Sequence, residues 1–132
     1  MPFDAQNIFA NLAEKERIKG HHSPEGRAIR TLSRALSGWS SGTLAHGDVV
    51  VLCDQAVEDW LRARLNRSPW SIHSVPALLP AALADHWITQ SDAHRLSNLH
   101  DLRPQAGKPR EISTQEVEAA LEFCIGLIDK HW

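Results

Sequence analysis

The stretch Gly47-Asp48-Val49-Val50-Val51-Leu52-Cys53-Asp54-Gln55-Ala56-Val57-Glu58-Asp59-Trp60-Leu61-Arg62 decides the fold class. Val50, Cys53, Val57, Trp60 and Leu61 recur at steps that return to one side of an α-helix, so this face belongs to a core. Asp54, Glu58, Asp59, Arg62 and Arg64 are then read as the opposite, solvated side. A helix with one apolar stripe is stable only against other elements. The neighbouring sequence therefore has to supply them.

It does so with further helices. Asp4 can cap a first helix through Ile8, Phe9, Leu12 and Ile18, stopped by Gly20; together with His21 and His22 this makes residues 1–22 an N-terminal helical segment. Ser23-Pro24-Glu25 supplies an N-cap, a proline suited to the first turn and an acid near the positive helix end, starting a second helix that runs to about Trp39. Ser40-Ser41-Gly42 reads as a break. Past a loop at 66–72, Ser74-Val75-Pro76 opens a short helix towards Trp87, with Pro80 as a kink or stop. Ser91 or Asp92 can cap a fifth helix carrying Leu96, Leu99 and Leu102, ended by Pro104. Ser113-Thr114-Gln115-Glu116 is a capping box before Val117, Ala120, Leu121, Cys124 and Ile128. The expected fold is an all-α bundle of five to six helices forming a single domain over 1–132.

Composition agrees and excludes several function classes. Five tryptophans, no tyrosine and few β-branched runs argue against a sheet. A chain of 132 residues with formal charge −2 offers no global attraction to nucleic acid, so any such contact needs a local basic patch. No stretch reaches the roughly 18–20 apolar residues of a membrane span, and the start lacks a basic segment leading into an apolar run. A cytoplasmic protein with no membrane association is expected. Cys53 and Cys124 fall on apolar helix faces and are expected as buried free thiols. The eight histidines show no metal-ligand spacing, and no phosphate-cradling glycine loop occurs, so nucleoside-triphosphate hydrolysis is not expected. Neither a metal nor another cofactor is expected.

Two groups of residues suit phosphate chemistry. Arg27, Arg30 and Arg34 lie along one face of the second helix, an arrangement that fits repeated phosphate contacts and equally fits a solvated bundle face. Arg62, Arg64 and Arg67 sit near the negative end of the third helix, where the dipole alone favours cations. His100 and Arg103, three apart at the end of the fifth helix, share a face beside the loop containing Lys108. These three could form a small polar site, or His100 and Arg103 could simply engage the last helix carbonyls. Trp39, Trp70, Trp87 and Trp132 fall at helix ends or in loops, where they suit either partner anchors or plugs at the bundle ends.

Leu99-His100-Asp101-Leu102-Arg103, a polar loop, and then Ser113-x-x-Glu116-Val117-x-x-Ala120-Leu121-x-Phe123 resemble the C-terminal half of HEPN domains. Gln55-Ala56-Val57-Glu58-Asp59-Trp60-Leu61-Arg62 resembles an earlier HEPN helix, so the likeness covers roughly 47–131. It implies an up-down helical bundle, often a homodimer, that binds RNA or a nucleotide. Many members are metal-independent ribonucleases of toxin–antitoxin or antiviral systems, which implies an antitoxin or other protein partner. Their motif is an Arg followed after four to six residues by a His, one holding phosphate and the other moving a proton. Arg103 matches the Arg, but Pro104 stands where Asn is common and Lys108 where His is expected. A lysine with a pKa of about 10.4 is charged at neutral pH and cannot readily accept a proton, which argues against efficient catalysis. Arg95 and His100 satisfy the motif spacing, yet residues five apart on a helix point roughly 140° from each other. The resemblance implies Arg103 as the phosphate-holding residue; with the helix face that it shares with His100, these two are the catalytic candidates, and Lys108, Arg95, Arg27, Arg30 and Arg34 are the candidates for binding RNA phosphate. Its alternative is a non-catalytic dimerisation or interaction module.

Overall fold

The computed structural model describes residues 5–20, 22–67, 74–103 and 111–130. These residues form six helices and no strand: α1 (Ala5–Lys19), α2 (Pro24–Ser41), α3 (His46–Arg64), α4 (Val75–Ala84), α5 (Gln90–Leu102) and α6 (Thr114–Lys130). No helix among the described residues is long and apolar enough to cross a membrane. The expected caps at Asp4 and the residues Trp70, Lys108 and Trp132 lie outside the described residues.

Local chemistry explains most of the boundaries. Ser23 Oγ accepts from the Gly26 amide at 2.9 Å, with Pro24 in the first turn, while Gly42 ends α2 at φ +70°, a conformation that favours glycine. Ser113 and Glu116 exchange capping hydrogen bonds, both 3.1 Å, at the start of α6. α5 starts earlier than its sequence suggests. Thr89, rather than Ser91 or Asp92, is its N-cap, and Asp92 returns the bond to the Thr89 amide at 3.1 Å. This reciprocal box satisfies two amides, more than a cap further along would, and it decides the register. Pro80 sits inside α4 rather than ending it.

One core runs through every helix, with Leu12, Leu32, Trp60, Leu78, Leu96 and Leu121 among its buried members. α2 and α3 pack along their lengths. Arg64 meets Glu25 at 3.4 Å at one end, and Trp39 stacks edge-on with His46 at the other, so the pair is antiparallel. α1 is antiparallel to α2 through Lys19–Glu25 at 3.2 Å and Arg30–Glu16 at 3.4 Å. Lys15 joins Asp129, tying α1 to α6. His46 Nδ1 donates to the Ile112 carbonyl at 2.6 Å and fixes the approach to α6. Trp39 and Trp87 are half-buried against the core, so each fills a bundle end rather than standing free. Both cysteines are free and buried.

Gly26 is the tightest backbone approach in the α1–α2 hairpin. A Cβ there would collide with the Gly20 carbonyl oxygen, which also accepts from the Ser23 amide and hydroxyl. Gly26→Ala should therefore lower stability by about 2 kcal/mol, as overpacking does, although alanine alone would favour a helix by about 0.5–1 kcal/mol. Urea unfolding decides the sign, and a gain in stability would show that the turn yields without cost.

Candidate functional site

α3 presents two different polar surfaces, and both begin with its own side chains. The first contains Asp54, which the helical pattern had assigned to the solvated side. It is instead only 3% exposed. The physical reason lies in the same periodicity: Asp54 is four residues after Val50, three before Val57 and seven before Leu61, so it occupies a core position. Its partners come from the end of α5, 46 residues away in sequence. His100 Nδ1 lies 3.2 Å from both carboxylate oxygens, and Arg103 Nη1 lies 3.4 Å from Oδ2.

Arg103 closes this network on itself. Its Nη2 is 3.0 Å from His100 Nε2, and its Nε donates to the His100 carbonyl at 3.2 Å. A guanidinium can only donate, so Nε2 carries the lone pair and Nδ1–H donates to Asp54. Both ring nitrogens are thereby engaged. The helix-end carbonyl contact expected of a terminal cation is present as well. Pro104 follows in sequence and disfavours a helical Arg103, which is extended at φ −61° and ψ 141°. That break turns the side chain back onto the helix it leaves.

Burial pushes the Asp54 carboxyl above its ordinary pKa, against the opposing pull of His100 and Arg103. Two further acids on α3, Glu58 and Asp59, are also raised chiefly by burial. Glu58 accepts from Arg62 at 3.0 Å and also feels Asp54 and Arg103, so it links the network to the second surface.

That surface is a groove of about 290 Å³ between α2 and α3. Arg27, Arg30, Thr31 and Arg34 line it from α2, and Gln55, Asp59 and Arg62 from α3, with Pro24 and Arg67 at its margin. The three arginines of α2 thus share one concave site. Arg62 and Arg67, read from sequence as cations answering the helix dipole, join them there. Arg64 does not: it lies between the Trp60 and Trp87 rings, 5.7 and 5.1 Å from their centroids, and pairs with Glu25. Arg62 is held by Glu58 and, at 3.4 Å, by Asp59, and Arg30 reaches Glu16. Among the described residues Arg34 and Arg67 make no ion pair, which leaves their guanidinium groups available for an anion.

Arg95 belongs to neither surface. Its guanidinium lies 4.3 Å over the Phe123 ring and lines a shallow groove between α5 and α6 with Asn98, Asp101 and Glu116. The helical period carries it away from His100, as their separation of five residues requires. No group of three or more His, Cys, Asp or Glu side chains suited to a metal occurs among the described residues. Compared with family models, with curated proteins and with solved structures, the chain matches none of them.

The raised Asp54 pKa has a definite sign. A carboxyl whose folded pKa exceeds its unfolded value contributes stability below the unfolded pKa, and that contribution is lost as pH rises through the folded one. Wild type should therefore lose stability relative to Asp54→Asn as pH rises from below about 3.9 through the elevated folded value. Paired urea titrations across that range check this, and parallel curves would show that burial does not dominate at Asp54.

Proposed function

We propose that this chain is a HEPN-like domain of the cytoplasm that binds RNA or a nucleotide, gripping phosphate in the arginine groove between α2 and α3. The observation that carries the reading is the convergence of five arginines from two helices and their margins on one groove, against a single lining carboxylate. Guanidinium groups remain charged at any physiological pH and match phosphate oxygens with paired N–H donors. An overall charge of −2 makes this concentration local rather than a general basicity of the chain.

A second reading, a metal-independent ribonuclease of a toxin–antitoxin or defence system, draws on the contact between Asp54 and His100. A buried carboxylate that fixes the proton on Nδ1 orients an imidazole for proton transfer at Nε2. In the resting arrangement Arg103 occupies that nitrogen. Cleavage then requires Arg103, whose side chain is 39% exposed, to leave Nε2 and take the phosphate. Under the non-catalytic alternative the network is a brace, and the α5–α6 groove is where a second copy or an antitoxin-like protein would dock.

Fluorescence anisotropy with a single-stranded oligoribonucleotide separates these readings. The double variant Arg27→Glu/Arg34→Glu should bind at least ~10-fold more weakly, a loss of about 1.4 kcal/mol, whereas His100→Ala should stay within about threefold of wild type, since the histidine takes no part in the groove. Unchanged affinity in the double variant would contradict the groove reading. Cleavage by wild type that disappears in His100→Ala, while the variant keeps its helical circular dichroism spectrum at the assay temperature, would establish the ribonuclease.

A further inference from the structure

The arginine groove gathers its positive charge into a small space. Its lining sets five guanidinium groups against Asp59 in about 290 Å³, and with Glu16 and Glu58, which pair with Arg30 and Arg62 from outside the lining, a net two positive charges remain. That volume lies at the small end of ligand pockets, which run from ~300 to 1,000 Å³. A strand crossing so small a space presents one phosphate charge per nucleotide. Two or three phosphates linked in line present roughly two to four charges in the same space, since a terminal phosphate carries about −1.5 to −2 at neutral pH.

The placement of the arginines fits such a compact anion. Arg27, Arg30 and Arg34 rise by about 10.5 Å along α2 from first to last, at 1.5 Å per residue. Arg62 faces them from α3 with its orientation fixed by Glu58 and Asp59, and Arg67 closes the margin. The anion would therefore be gripped from both helices rather than along one. Arg34 and Arg67, which make no ion pair among the described residues, can turn to it without breaking a contact within the protein.

We infer that the groove selects a linear oligophosphate, two or three linked phosphates carried at a 5′ end, over an internal phosphodiester. This rests on the proposed phosphate-binding role of the groove and names the ligand class that role serves. The oligophosphate chemistry could come from an RNA 5′ end or from a free nucleoside triphosphate.

Calorimetric titration of the full chain at 150 mM salt without divalent cations tests it, using tripolyphosphate, a nucleoside triphosphate, its monophosphate, and one RNA sequence bearing either a 5′-triphosphate or a 5′-hydroxyl. The 5′-triphosphate RNA should bind at least ~10-fold tighter than the 5′-hydroxyl RNA, and tripolyphosphate should compete for the site. Arg34→Gln/Arg67→Gln, two exposed positions whose replacement should leave the fold intact by circular dichroism, should abolish that preference. Arg95→Gln, in the α5–α6 groove, should leave it unchanged. A free triphosphate as tight as the RNA end would support the inference and identify the free nucleotide as its source. Equal affinity for both RNA ends would overturn the inference while leaving RNA binding intact, and no binding of any probe would overturn both.

Discussion

The packing of α2 against α3 sets the terms for every other feature of this protein. Ala28, Leu32, Ala35 and Leu36 from α2 and Val49, Cys53, Ala56, Val57 and Trp60 from α3 are essentially removed from water. Small residues within this set let the helices approach closely, and burial of the large ones supplies the favourable free energy, about 1.5–3 kcal/mol for each large apolar side chain. The same approach forces the flanking charged residues of the two helices into one groove. Dispersed along an isolated helix, these arginines would be ordinary solvated side chains.

The charges around α3 are not independent. Asp54, Glu58 and Asp59 each lose part of their hydration to burial, and each is compensated by a neighbouring cation. Removing one partner of such a group leaves an uncompensated charge, so the network is a source of specificity and a point of vulnerability. Glu58 carries the coupling, because it pairs with Arg62 of the groove and lies within the field of Arg103. His100 is held by contacts on both ring nitrogens.

The helices were legible in the sequence because their signals are local. Ser23-Pro24 and Ser113-x-x-Glu116 announce α2 and α6 by chemistry confined to four residues, and the apolar stripe of α3 repeats on itself. The start of α5 was misplaced because Thr89, Ser91 and Asp92 are all competent caps, and only the reciprocal bond of Thr89 with Asp92 chooses among them. Asp54 was hidden by its residue type: its position continues the core stripe, but a carboxylate is read as solvated until its partners are known. Those partners lie on α5. Arg27, Arg30 and Arg34 were visible as a row, but no sequence rule states that Arg62 and Arg67 face them while Arg64 turns to Trp60 and Trp87. Pairing of helix faces is a property of the assembled bundle.

The dependence of RNA affinity on salt tests the central claim most directly, because it counts the phosphates that the protein neutralises. For a single strand the slope of log K against log salt is about −0.7 for each phosphate contact, so engagement of three to five arginines should give roughly −2 to −3.5. A slope in that range for the unaltered protein is expected. A slope near zero would mean that the groove holds no phosphate.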